Sequence, residues 1–431
     1  MTTLIVAMNG VRVGTLNKEP GGTLAFDYRD DWIERSGSRA ISLSLPLQAG
    51  VFRGDAVFNF FDNLLPDNEQ IRTRIQQRFR IPTKQTFDLL AQIGGDCVGA
   101  IQLYPEHYEA SAPQAIHAKA LSDGEIGHIL QGYREAPLGM ETDIDDFRIS
   151  LAGAQEKTAL LWYKNQWHRP EGSTPTSHIF KLPVGLIDHN NLDLTESCEN
   201  EWLCLKIAEQ FGLPAAQAQL AQFAGQKVLI VERFDRRWSH DNRWLMRLPQ
   251  EDMCQALGIA PAIKYEADGG PGIVDIMALL KGSEKALQDR DRFFKSQILF
   301  WMLAAIDGHA KNFSLFIEPD SRYRLTPLYD VISAYPFMRP SGLAPHKAKM
   351  AMAILGKNRH FHWKHILPRH FIATAKAIDY PVAKVMQMMA EMKAGTEDVI
   401  VKVTSLLPPE FPLAISEAIF AGLRRQAARL P

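Results

Sequence analysis

The chain is poor in cysteine, holding only four: Cys97, Cys198, Cys204 and Cys254. None stands in a CxxC pair and no Cys/His group has zinc spacing, which excludes a disulfide-stapled scaffold and a thiolate zinc centre. Reduced, mostly buried thiols in a cytosol are the simplest account. Long hydrophobic runs are missing, and nothing approaches the roughly 18 apolar residues of a membrane span. The N-terminus lacks a basic stretch leading into an apolar one. Instead LIVAM, Asn9-Gly10 and VRVGTL read as a hairpin with a type I′ turn. A cytoplasmic location without membrane contact is expected. Neither sign of charge dominates, since 48 Lys and Arg face 49 Asp and Glu for a net charge of −1. That excludes a wholesale polycation and leaves room for a local basic face. Internal repeats and low-complexity tracts are also lacking.

What is present suits an ordinary globular chain. It has 431 residues, 46% apolar and 23% charged, a length that suggests about two to three domains. Residues 1–110 form an N-terminal α+β subdomain. There FNFFDNLLPDNEQIRTRIQQRF reads as helical around Pro66-Asp67, and QTFDLLAQIG continues the pattern. The polar stretch 104–113 interrupts the periodicity and marks a boundary. SDGEIGHILQGY then opens a helix with Ser122 or Asp123 as cap. Residues 111–245 turn β-rich through FRISLAG, KTALLWY, SHIFKLPV and KVLIVERF, as a nucleotide-binding lobe would. The helix ESCENEWLCLKIAEQFGL lies among them and stops at Gly212, with Pro214 beyond. Residues 246–431 carry mainly 3.6-residue patterns, such as ALLKGSEKAL and QDRDRFFKSQILFWMLAAI, and read as a mostly helical catalytic lobe.

The stretch IDGHAKNFSLFIEPDSRYRLTPLYD holds the most chemistry. Asp307 and Asn312 stand five apart after an apolar, helix-like run, and Asp330 ends an apolar segment downstream. Metal-dependent phosphoryl transfer needs these groups: one carboxylate to orient a hydroxyl, an amide and a second carboxylate to hold Mg²⁺. NFSLFI reads as a strand, Glu318-Pro-Asp-Ser as a turn and YRLTPLY as a returning strand. Such a hairpin brings Asn312 and Asp330 to one open end, where hard oxygen ligands suit Mg²⁺. The plainer alternative is Asp307-Gly as a helix stop and Asp330 as a strand cap.

Weaker signals precede this stretch. SLAGAQEK, from Ser150 to Lys157, is a small-residue loop through which backbone N–H groups can approach phosphate. It is neither GxGxxG nor Walker A, and an ordinary hairpin loop is the alternative. Lys181 ends the strand SHIFK and can pair with phosphates, held by Glu201 or Glu199 of the next helix; otherwise it is a surface lysine. In VLIVERFDRR, Glu232 and Phe234 fall where a connecting strand could meet an adenine edge, although Phe234 could equally be core. Taken in order, loop, lysine strand, carboxylate helix, connecting strand, base, metal Asn and metal Asp are the parts of a kinase. The expected fold class is α+β: a two-lobed protein-kinase-like fold, β-rich at its N-terminal part and mostly helical in its C-terminal lobe.

With these residues placed, the chain resembles the HipA family of bacterial serine/threonine kinase toxins, the toxin half of HipA–HipB modules. The resemblance rests on SLSLPL, DAVFNFFDNLLPD, FDLL, DFRISLAGAQEKTALL, KLP, VERFDRRW, RLPQEDMCQ, KYEADGGPGI, DGHAKNFS and YDVISAYP, over nearly the whole length. It implies Asp307 as catalytic base, with His309 and Lys311 lining its loop, and Asn312 and Asp330 as Mg²⁺ ligands. It further implies Ala152, Gly153, Ala154, Gln155, Glu156 and Lys157 as the phosphate loop, Lys181 on the ATP phosphates, and Glu232 and Phe234 on adenine through their backbone. Ser150 matches the family's inhibitory autophosphorylation site. A phosphate there would add about −1.5 to −2 charge close behind Glu141, Asp143, Asp145 and Asp146 and beside the phosphate loop, repelling ATP. The implied substrate is glutamyl-tRNA synthetase, whose loss would halt translation and favour dormancy and persistence.

The resemblance also implies a HipB-like antitoxin dimer seated on operator DNA. Residues 346–370 hold six Lys/Arg, five His and no Asp or Glu, a local excess that could contact phosphates or be a solvated loop. Lys376 matches a family position for DNA contact, while Asp379 stands where a basic residue is expected. Readings of other classes are a DNA-bound co-repressor with vestigial kinase residues, and a small-molecule or lipid kinase on a similar scaffold.

Overall fold

The computed structural model describes residues 2–107, 114–135, 157–187, 192–338 and 342–431. The chain divides into two compact units: residues 1–182, 221–262 and 314–323 form one, and residues 183–220, 263–313 and 324–431 the other.

In the first unit, strands Thr2–Met8 and Val11–Lys18 pair antiparallel across Asn9 (φ 49°) and Gly10 (φ 76°), as the type I′ turn requires. Leu24–Tyr28 and Val51–Arg53 extend the sheet on one side and Ile101–Pro105 on the other. Helices Asp55–Asp62 and Thr86–Ile93 supply Phe60, Phe61, Leu89 and Leu90 to its core, and Ile75 of helix Glu69–Arg78 packs against it. A second sheet runs in the order 218–223, 226–232, 178–181, 157–163, 166–170 and 118–120. Ser122 caps Asp123–Glu135: its Oγ accepts the Glu125 N–H, and Glu125 Oε2 accepts the Ser122 N–H.

Two polar networks are buried in this unit. In one, Glu251 accepts Ser42 Oγ–H and the Leu43 N–H (2.9 Å), tying SLSLPL to strand Gln250–Asp252. Burial pushes the Glu251 carboxyl from its ordinary 4.5 up to about 8, against the lowering effect of both hydrogen bonds. The folded chain therefore keeps a proton that the unfolded chain releases above about pH 4.5, and stability falls as pH rises through that window to about 8. Glu251→Gln, which mimics the protonated carboxyl, is expected to flatten this fall. Urea melts at both ends of the window test it, and a wild-type decline in the variant would refute the assignment.

The second unit holds Ser197–Gln210, with Gly212 (φ 76°) just beyond it, and the long helices Ala286–Leu303, Val382–Thr404 and Leu413–Ala427. Two expectations need correction. ALLKGSEKAL is not one helical run, because Ile273–Leu279 tightens into a 3₁₀ turn at Leu280–Gly282 before Ala286 starts anew. Ser283 makes the break: it is extended, and its Oγ accepts the Lys285 N–H and donates to Asp289. Secondly, residues 346–370 include an antiparallel pair, Lys349–Leu355 with Arg359–His362. KMAMAIL is buried over Met350–Ile354, and periodicity alone cannot separate such a run from a buried helix. All four cysteines are free and buried. Among the described residues no helix is long and apolar enough to cross a membrane.

Candidate active site

Helix Ala286–Leu303 is buried on most faces, and it ends because Ala304 turns left-handed (φ 49°). The Ala305 N–H then closes on the Phe300 carbonyl at 2.8 Å. This throws the next residues off the helix axis as a loop. Gly308 lies against the Phe300 ring, where a Cβ would come within 2.5 Å, so the loop can pass there only without a side chain. Asp307, one residue earlier, is exposed, whereas His309, Lys311 and Asn312 are buried.

The loop is tied by its own backbone. The Asp307 carbonyl accepts the His309 N–H (2.8 Å), and the His309 carbonyl accepts the Asn312 N–H (2.9 Å). Ala310–Asn312 is a 3₁₀ turn, and the strand starts at Ser314, so Asn312 is not a strand residue as the sequence pattern suggested. The returning strand covers only Tyr323–Leu325, because Thr326-Pro327 removes a ladder donor. Asn312 and Asp330 nevertheless meet. Asn312 Nδ2 donates to the Asp307 carbonyl (2.9 Å) and to the Asp330 carbonyl (3.4 Å). Both neighbours are acceptors, which fixes the amide orientation and leaves Oδ1 as the group available to a cation. Asp330 is left-handed (φ 54°), a conformation held at a cost and often found at functional sites. Tyr329 donates to the Lys311 carbonyl at 2.7 Å, fixing the segment before it.

An amide oxygen and a carboxylate are hard donors, and they fit Mg²⁺, which keeps waters and phosphate oxygens for its remaining positions. Among the described residues no group of three or more His, Cys, Asp or Glu gathers to hold a metal.

The nucleotide candidates belong mostly to the other unit. Lys157 stands opposite Lys181 across the antiparallel pair 157–163 and 178–181, so both side chains leave one face of the sheet. Lys181 is buried and Lys157 half-buried. Glu199 and Glu201 are both buried on helix Ser197–Gln210. Glu232 is exposed at the end of strand Gln226–Glu232, and Phe234 packs edge-on against Phe316 at 5.8 Å. Ser150 and the loop residues Ala152, Gly153, Ala154, Gln155 and Glu156 lie outside the described residues.

Two features carry no sequence signal, and a third carries one for charge alone. Tyr265 reaches Asp307 from 42 residues away. Arg233, Arg236 and Arg247 converge with Asp96 and Asp235 in a buried cluster directly after Glu232. Lys349, Arg359, His360, His362 and His365 line one recess with Phe361 and Ala267, where the basic run was expected only as a patch or loop.

Comparison with known proteins identifies the family. The HipA N-terminal domain matches residues 4–104 and the HipA-like C-terminal domain residues 149–400. Y4mE of Sinorhizobium fredii is 32% identical over 359 residues, covering 81% of this chain and 80% of its own. The serine/threonine-protein kinase toxin HipA of Shewanella oneidensis is 29% identical over 346 residues, 77% of this chain and 75% of that protein. Among solved structures, the Shewanella oneidensis toxin–antitoxin complex of HipA, HipB and operator DNA contains a chain matching at a TM-score of 0.82. The identity there is 22%, over 99% of this chain and 97% of that one. The fold is kinase-like, and the class is that of protein serine/threonine kinases. Within that class the chain belongs to the HipA family.

Proposed function

We propose that this chain is an ATP- and Mg²⁺-dependent serine/threonine protein kinase that acts as the toxin of a toxin–antitoxin pair. The observation that carries the reading is the loop in which Asn312 is bonded to the backbone of both Asp307 and Asp330. Asp307 takes the role of base toward a substrate hydroxyl, and Asn312 and Asp330 hold the metal. His309 and Lys311 shape the loop between them. Held there by Asn312 and Asp330, Mg²⁺ would supply positive charge against the charge developing in phosphoryl transfer. Lys157 and Lys181, opposed on one sheet face, receive phosphates. The backbone at Glu232 and Phe234 is assigned to the adenine edge, and residues 152–157 are assigned as the phosphate loop. Autophosphorylation of Ser150 would silence the enzyme by placing a dianion beside that loop. The substrate is glutamyl-tRNA synthetase and the outcome a dormant, persistent cell, both by analogy with the family. The partner is a HipB-like dimer on operator DNA, in the cytoplasm. The assay is incubation with γ-labelled ATP and Mg²⁺, with glutamyl-tRNA synthetase as acceptor. Label on that protein, lost on chelation, is expected; absence of label from every protein present would sink the reading.

A second reading, a co-repressor in direct contact with DNA, is favoured by the recess on the strand pair Lys349–Leu355 and Arg359–His362. Among the described residues its lining includes Lys349, Arg359 and three histidines, and no carboxylate. Lys376 is exposed on helix Pro368–Ala377, and Asp379 is exposed close by. Phosphate contacts would position the complex without reading sequence. Replacing Lys349 and Arg359 by alanine in the antitoxin-bound complex is expected to weaken binding to operator and random DNA alike. The slope of log affinity against log salt should fall by about one per lost phosphate contact. An unchanged slope, measured by fluorescence anisotropy, would exclude this face from DNA.

A further inference from the structure

Tyr265 has no part in the roles given so far, yet its hydroxyl donates to Asp307 Oδ1 at 2.6 Å. The segment that carries it is fixed on every side. The Lys264 carbonyl accepts the Ala310 N–H, joining the segment to the Asp307 loop. The Tyr265 carbonyl accepts both the Asp268 N–H (3.0 Å) and the Gly270 N–H (2.9 Å), closing a tight turn. A Cβ on Gly270 would lie 1.9 Å from the Ile263 carbonyl oxygen, so the turn can pack this closely only with glycine there. Glu266, next in sequence, is buried and accepts the Ala353 N–H at 2.7 Å. The Tyr265 ring stands edge-on to His309, centroids 5.0 Å apart. The backbone that carries this hydroxyl is therefore held in place by the scaffold.

An exposed aspartate rotates broadly about its last torsion. A base must be aligned as well as near. Holding Oδ1 from one fixed direction leaves Oδ2 presented in another. We propose that Tyr265 is a positioning residue for phosphoryl transfer, clamping Asp307 through Oδ1 so that Oδ2 receives the proton of the substrate hydroxyl. The inference rests on the reading of Asp307 as base. In the step, the acceptor oxygen forms its bond to the γ-phosphorus. The bond from that phosphorus to the β,γ-bridging oxygen breaks, its electron pair leaves with ADP, and the hydroxyl proton passes to Asp307 Oδ2. Tyr265 keeps its own proton throughout.

The test compares Tyr265→Phe, Asp307→Asn and the double variant with wild type in steady-state kinetics and thermal melts. Tyr265→Phe removes one hydroxyl and keeps the ring on His309. Losing a hydrogen bond to a charged group should lower kcat roughly tenfold to a hundredfold. KM for ATP and the melting temperature should stay near wild type, and the double variant should be no slower than Asp307→Asn alone. A wild-type kcat in Tyr265→Phe beside an inactive Asp307→Asn overturns the clamp and spares the base. A loss carried by KM, or by a lowered melting temperature, also overturns the clamp. Full activity in Asp307→Asn overturns the reading of the base itself.

Discussion

Asp307→Ala is expected to lower phosphoryl transfer roughly a hundredfold to ten-thousandfold, the range that a positioned base contributes. The fold should survive. The Asp307 side chain is exposed and accepts from the Tyr265 hydroxyl. The contacts that shape the loop run instead through its backbone carbonyl, which accepts from His309 N–H and Asn312 Nδ2 and is kept in alanine. Stability should therefore change by no more than about 0.5 kcal/mol, as for surface substitutions generally. ATP affinity should hold as well, because the nucleotide contacts are assigned to other residues. An intact, ATP-binding protein without turnover is the expected phenotype. Retained turnover would remove Asp307 from the chemistry.

Asp96→Ala is expected to have the largest effect on stability. Asp96 Oδ1 accepts from Arg236 (2.8 Å) and Arg247 (2.9 Å), and Oδ2 from Arg233 (3.3 Å) and both Thr176 donors. Asp235 receives Arg233, Arg236 and the Gly99 N–H. Burial alone would raise the Asp96 carboxyl, but Arg236, Arg247 and Arg233 reverse this and hold it well below the usual carboxylate range. Burial, helped by the neighbouring Arg233, lowers Arg236 to about 10. Removing Asp96 leaves three buried guanidinium groups facing one carboxylate. Breaking a buried ion pair in this way costs about 3–5 kcal/mol, most of it the desolvation of the charges left behind. That is a large share of the stability of a typical domain. The urea midpoint should fall sharply. The Glu232–Phe234 backbone, which runs straight into this cluster, should lose its shape and weaken ATP binding in any folded fraction. A midpoint near wild type would show that the arginines find solvent or other partners.

What could be read in the sequence was local. The Asp307–Asn312 spacing, the Asn9-Gly10 turn and the Ser122 cap each depend on a few adjacent residues. Their chemistry and backbone preference act over the same short range. Groups assembled across long separations left no trace. Asp96 meets Arg233 and Arg247 from 137 and 151 residues away, and each charge alone looks like a solvated one. Tyr265 sits in a motif conspicuous for its glycines, but only the folded turn shows what those glycines place. That Lys157 stands opposite Lys181 was likewise hidden, because strand register is set by pairing and not by either strand alone. Residues 346–370 were expected as a basic patch or solvated loop, and their strand pair went unseen, since a buried run of Met and Ala fits strand and helix alike.

The most direct measurement is the intact mass of the purified chain before and after incubation with Mg²⁺ and ATP, wild type beside Asp307→Ala, with the phosphorylated residue mapped by fragmentation. The wild type should gain one phosphate, on Ser150, and the variant none. A wild type that stays at its unmodified mass throughout, or a variant that gains phosphate as readily, would contradict the assignment of this loop to phosphoryl transfer.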